Sequence, residues 1–180
     1  MCHFIGQVKQ RLNDGCHDNV AVYAGNLYTT TSSKNNRNHS IHVYSTHTWQ
    51  KTSVLPLSCI VDSGHLHSLC VNKQHIFVSC SWSNRIYKIS QNGDVIDISD
   101  RIGNAIGEFD TLYACMTDSD SNLLVTDLEN NRLQLLHEEN WSVIQLQQQP
   151  QWPIRVVYDG KALYVLHLLR GRATALVKYE

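Results

Sequence analysis

Apolar and polar positions alternate over short stretches of this chain, and polar, turn-prone clusters separate those stretches along most of its length. The pattern is clearest at residues 122–136, where Leu123, Leu124 and Val125 predict one strand and Leu133, Leu135 and Leu136 a second. Glu129, Asn130 and Asn131 lie between them and predict a hairpin tip, because Asn tolerates positive φ and hydrogen-bonds its own backbone. A single hairpin is marginally stable. The weight of this one comes from its recurrence.

A four-strand unit repeats. Its first copy is predicted at 20–24, 27–31, 41–45 and 53–57, and its second at 68–72, 76–80, 85–90 and 95–99. The third lies at 114–118, 123–127, 132–137 and 141–147, and the fourth at 154–158, 163–167 and 173–179. Leu27, Phe77, Leu124 and Leu163 hold the same place in each copy, separated by 50, 47 and 39 residues, and these spacings bracket the period of propeller blades. No stretch carries helical periodicity. The fold class that follows is all-β: a β-propeller of four-stranded antiparallel blades at about 19–58, 67–100, 112–148 and 153–180, each too small to stand alone and stacked face to face. Residues 3–9 read as a further strand, a candidate to close the ring as the missing outer strand of the fourth blade.

Residues 107–136 resemble an NHL repeat, the blade unit of a six-bladed propeller family. Gly107, Phe109, Asp118, Asn122, Leu123, Val125, Asp127, Asn131 and Arg132 match its pattern, while Leu112 and Ala114 stand where the family usually has Pro and Gly. The second copy keeps Asn84 and Arg85 but has Cys80 in place of Asp, and the first and fourth copies are more degenerate. The resemblance implies six blades, of which this chain supplies about four, so an incomplete propeller from the C-terminal part of a longer protein is expected; a small closed propeller is the alternative. It also implies a place in tripartite-motif proteins, where RING and B-box domains precede the propeller. The implied function is substrate recognition for a ubiquitin ligase, with any ligase activity belonging to a RING domain outside these residues.

Composition narrows the partners. The chain has 180 residues, 42% hydrophobic and 17% charged, with a formal net charge of −1. That balance gives no global attraction for nucleic acid or anionic lipid, so such binding would need a local patch. No apolar run approaches the roughly 20 residues that cross a bilayer, and residues 1–10 lack the features of a signal peptide. A cytoplasmic location follows as the expectation, with the six cysteines as thiols.

Cys59, His65, His67, Cys70, His75 and Cys80 cluster within 22 residues, but their spacing is not a paired zinc arrangement. Core thiols are the better reading, and no metal or cofactor is expected. Asp127 and Asn131 read as turn-building residues. The tips between second and third strands carry Lys34 and Arg37, then Arg85, then Arg132, then Arg170 and Arg172. In a propeller these tips share one face, so a nearly neutral chain would present a basic rim, with Trp82 as an apolar anchor. Trp and Arg are enriched in binding hot spots. The rim predicts a non-catalytic module that binds a protein, with RNA as the alternative; neither DNA nor a membrane is expected. A metal-dependent lactonase- or lyase-like propeller is a second alternative, with Asp14, Asp62 and Asp118 near the channel, resting on fold analogy because no nucleophile motif is present.

Overall fold

The structure is a computed structural model, and it describes residues 17–32, 39–57, 66–169 and 173–179. Among them every regular element is a strand. Blade 1 holds β1 (His17–Tyr23), β2 (Asn26–Ser32), β3 (His39–Ser45) and β4 (Lys51–Pro56). Blade 2 holds β5 (Leu66–Val71), β6 (His75–Cys80), β7 (Arg85–Ser90) and β8 (Val95–Ser99). Blade 3 holds β9 (Leu112–Thr117), β10 (Leu123–Asp127), β11 (Arg132–His137) and β12 (Asn140–Val143). Blade 4 holds β13 (Pro153–Tyr158), β14 (Leu163–Leu169) and β15 (Ala173–Tyr179). Each blade is an antiparallel meander in sequence order, and the first strands β1, β5, β9 and β13 pack in series at the inner end of the stack.

Three apolar layers join the blades. Tyr28, Ile41, Val43 and Leu55 of blade 1 pack on Leu69, Val78 and Tyr87 of blade 2. Cys70, Phe77 and Ile86 meet Leu112, Cys115, Leu123 and Val125 at the next junction. Leu124 and Leu133 meet Val156 and Val165 at the third. Alternation explains this use of both faces: Leu123 and Val125 look back to blade 2 while Leu124 looks forward to blade 4. At the two ends of the stack the same alternation leaves Val20 and Val22, and Val157 and Leu176, exposed.

The motif residues of blade 3 have physical reasons. Phe109 is fully buried and meets the Trp141 ring edge-on at 5.0 Å. Gly107 sits at φ +79° with the Trp141 ring so close that a Cβ would lie 3.0 Å from it, and its N–H donates to Gln134 Oε1 at 2.9 Å. Asp118 Oδ1 accepts from the N–H groups of Asp120 and Asn122 at 2.9 and 2.8 Å, closing the β9–β10 turn. Asn72 and Asp159 close the equivalent turns in blades 2 and 4 in the same way.

Several boundaries differ from the sequence reading, and two kinds of difference have a physical reason. The last strand of blade 3 stops at Val143 rather than continuing to 147: Val143 pairs with Gln134, the Ile144 N–H still reaches the Leu133 carbonyl at 3.0 Å, and β11, which begins at Arg132, offers the register no partner beyond residue 145. The first strands start earlier than expected, by 3, 2, 2 and 1 residues in blades 1 to 4. Each contains a register shift near its start: between His17 and Asn19, between Leu66 and Ser68, opposite Thr126 in blade 3, and between Pro153 and Arg155. A bulge of this kind inserts one residue and breaks the two-residue alternation that a sequence reading follows.

Candidate functional site

The β6–β7 and β10–β11 tips lie beside the connectors that lead into the next blade, so tips, connectors and first-strand starts share one face. Asn84 and Asn131 occupy the left-handed region at φ 51° and 54°, and each closes its tip by donating its N–H to a carbonyl three residues back, Ser81 and Leu128. Their side-chain oxygens then accept the N–H of Leu112 at 3.0 Å and of Trp152 at 2.8 Å, pinning the entry of the following blade. Asn131 is therefore a turn residue, and a junction residue as well.

Asp127 is fully buried and accepts from Asp110 N–H at 2.8 Å, Asn130 Nδ2 at 3.0 Å, Gln134 Nε2 at 3.0 Å and Arg132 Nε at 2.7 Å. Arg132 spends the rest of its guanidinium on the carbonyls of Asn104, Ala105 and Glu108 at 2.7 to 2.8 Å, leaving its side chain 13% exposed. Four of its five N–H donors are used inside the blade and its connector. Arg132 thus does not join an outward basic row. Arg85 lies on the face, 4.0 Å from Asp100. Lys34, Arg37, Arg170 and Arg172 lie outside the described residues.

What the face does present is an aromatic strip that crosses three blades. Trp82, at the β6–β7 tip, is 80% exposed. Beside it Ser81 Oγ lies 3.0 Å from His67 Nδ1. The His67 ring is 5.1 Å from that of Tyr113, and the Arg155 guanidinium sits over the Tyr113 ring at 5.2 Å. His67 and Tyr113 are the residues that follow the first residue of β5 and β9, at the bulges; Arg155 follows the bulge of β13. Bulges re-aim side chains, and here they turn one imidazole, one phenol and one guanidinium toward the same mouth. The sequence reading weighed His67 only within the Cys and His cluster and passed over Tyr113 and Arg155. Aligning the starts of the first strands, rather than the tips, is the signal that brings His67 and Tyr113 into register; Arg155 lies one position further on, after Ile154.

No family model matches the chain, and no curated protein matches it in sequence. Solved structures do match. Hydrazine synthase of Kuenenia stuttgartiensis superposes with a TM-score of 0.64 at 12% identity, over 98% of this chain and 49% of its own. Virginiamycin B lyase of Staphylococcus aureus gives 0.61 at 10% identity, over 93% and 57%. The computationally designed Ika4 protein gives 0.57 at 6% identity, over 98% of both chains. The fold is a β-propeller. The chain spans about half the length of the two natural propellers it matches here.

Other candidates sit elsewhere on the propeller. Of the Cys and His cluster at 59–80, read from the sequence as core thiols rather than a zinc site, Cys59 and His65 lie outside the described residues, Cys70 and Cys80 are buried thiols in β5 and β6, and His67 belongs to the strip. His75 faces a groove between blades 2 and 3, its pKa lowered by burial and by Lys88. Among the described residues no three His, Cys, Asp or Glu side chains converge on one point. Asp118 closes a turn at the opposite end of β9 from the mouth, with both oxygens engaged by that turn, while Asp14 and Asp62 lie outside the described residues. The groove between blades 2 and 3 encloses about 300 Å³, with Phe77, Leu123 and Trp141 below and Lys88, Asp97 and Glu139 on its walls. Its polar groups carry both signs and favour no one ligand.

Proposed function

We propose that this propeller is a protein-recognition module and that the strip Trp82–His67–Tyr113–Arg155 is its contact surface. The observation that carries the reading is the exposure of Trp82. An indole 80% open to water is apolar surface whose burial by a partner would gain hydrophobic free energy. Its neighbours Tyr113 and Arg155 are the other residue types that dominate interface energetics. The engagement of Arg132 inside blade 3 takes one outward cation away from the RNA alternative, since phosphate binding draws on outward cations.

The NHL-like motif of residues 107–136 supports a finer form of this reading, in which the partner is the substrate of a tripartite-motif-like ubiquitin ligase whose RING domain lies elsewhere. An enzymatic reading has one observation in its favour. His67 stands at the mouth with a hydroxyl and a phenol beside it, and a catalytically inactive His-to-Ala variant is known for the virginiamycin B lyase.

A photo-crosslinking residue at position 82, compared with one at position 92 in a turn on the opposite face, tests the main proposal. A protein captured from 82 and not from 92, whose measured affinity falls at least tenfold with Trp82→Ala, supports it. Equal capture from both faces, or binding indifferent to Trp82→Ala, removes it. Conversion of quinupristin by the wild type and not by His67→Ala would move the assignment to an enzyme.

A further inference from the structure

Cys70 on β5 and Cys115 on β9 belong to different blades, 45 residues apart in sequence, and their Sγ atoms lie 3.3 Å apart. Both are buried free thiols at the junction of blades 2 and 3. The two strands are already held close at this level. Ser68, two residues before Cys70, donates its hydroxyl to the Cys115 carbonyl at 3.1 Å and accepts the Cys115 N–H at 3.2 Å. A disulfide needs the sulfurs at about 2.05 Å, a closure of little more than an ångström, within the reach of a χ1 adjustment. The general preference of buried cysteine for apolar packing explains why each is inside. It does not explain why two from separate repeats are in contact, since the corresponding positions at the first junction are Ala21 and Leu69, which belong to an ordinary apolar layer.

We propose that Cys70 and Cys115 form an interblade disulfide under oxidising conditions, and that this bond clamps the two strands carrying His67 and Tyr113. With hydrogen peroxide as oxidant, the Cys115 sulfur attacks a peroxide oxygen and becomes a sulfenic acid, releasing one water. The Cys70 sulfur then displaces the hydroxyl, its proton leaving with that group as a second water, so two thiols and one peroxide give one disulfide and two waters. The order of events follows from the environment. Burial pushes the Cys70 thiol well up, so it stays protonated and donates to Cys115, and this bond, with help from Ser68 and Arg155, holds the Cys115 thiol below its ordinary value. His67 lies three residues before Cys70 and Tyr113 two before Cys115, so the linkage fixes the spacing of the ring pair at the mouth.

The test uses the full chain and a variant in which Cys2, Cys16, Cys59 and Cys80 are replaced, each treated with peroxide while folded and then alkylated. The expected result is an intact mass lower by two hydrogens and a linked peptide pair containing Cys70 and Cys115 on non-reducing digestion. Reduction reverses it, and Cys70→Ser and Cys115→Ser each abolish it. The oxidised form should also show a higher urea midpoint than the reduced form. Sulfinic acid at either position without linkage, linkage through other cysteines, or no reaction of the folded variant overturns the proposal. Because the readout is covalent and needs no partner, it stands or falls separately from the recognition function.

Discussion

Replacing Arg132 by Ala separates a structural arginine from a binding one. The change removes the bond to buried Asp127 and the bonds to three connector carbonyls, those of Asn104, Ala105 and Glu108. Asp127 keeps its donors from Asp110, Asn130 and Gln134, so its charge is not wholly stranded. Removing one partner of a buried ion pair costs roughly 3–5 kcal/mol; the remaining donors place this site at the lower end, about 3 kcal/mol. With a urea m-value of roughly 2 kcal/mol/M, the midpoint falls by about 1.5 M. Arg132→Lys keeps the charge but loses the planar fork, and should fall between wild type and Ala. Arg85→Ala is the control. Its pair with Asp100 is 4.0 Å long and half exposed, and such pairs contribute about 0–1 kcal/mol. Urea titration followed by tryptophan fluorescence reads all three. If Arg132→Ala and Arg85→Ala have the same midpoint as wild type, the knot around Asp127 is not holding the blade, and Arg132 returns to the list of surface contacts.

Three further changes test other parts of the structure. Gly107→Ala forces a side chain into the left-handed region and against Trp141; roughly 1–2 kcal/mol for the backbone alone, plus displacement of the indole, should lower the thermal midpoint by several degrees, and an unchanged midpoint would contradict the packing. Trp82→Ala should leave stability within about 0.5 kcal/mol of wild type, since the indole is exposed, while costing partner affinity about 2 kcal/mol; a loss of stability would place the ring in the core instead. His167 is buried, accepts Gln151 N–H at Nδ1 and lies 3.3 Å from the Tyr179 hydroxyl, and burial pushes its pKa below the ordinary value. The unfolded chain therefore takes up this proton first, so stability is present above the ordinary imidazole pKa and is lost as pH falls through it, by at most about 1.4 kcal/mol per pH unit. Urea midpoints from pH 7 to 5 should slope less in His167→Gln, and an identical slope refutes the assignment.

Much of the blade was legible because its local chemistry is periodic and self-contained. Asn131 and Gly107 could be assigned turn and lead-in positions from the sequence, since the N–H groups or the φ values they serve lie within a few residues; Asp118 was legible as the end of a strand and as a channel candidate, not as the residue that closes its turn. Asp127 was readable as a turn residue, although its burial under Arg132 and Gln134 was not, because Gln134 is an ordinary polar position in an alternating strand. The strip was missed for a different reason. His67 and Tyr113 sit at bulges, where the alternation slips by one residue, so the first strands seemed to begin after them. The Cys70–Cys115 contact lay further out of reach, because side-chain pairing between blades leaves no mark on the spacing within either one.

The residues that make blade 3 resemble a repeat family are those the fold consumes. Gly107 and Phe109 seat the connector on Trp141, Asp118 and Asn122 close one turn, Asn131 closes a tip and caps the next blade, and Asp127 and Arg132 bind each other and the connector. A side chain whose donors and acceptors are spent inside the blade has little left with which to choose a partner. Selectivity in such a propeller must then come from positions where the copies differ, and on this face those are Trp82 at a tip and His67, Tyr113 and Arg155 around the bulges. Substitutions at the motif positions should therefore move stability first and binding only in proportion to unfolding. Substitutions along the strip should do the reverse, and a motif variant that kept its midpoint while losing its partner would break this division.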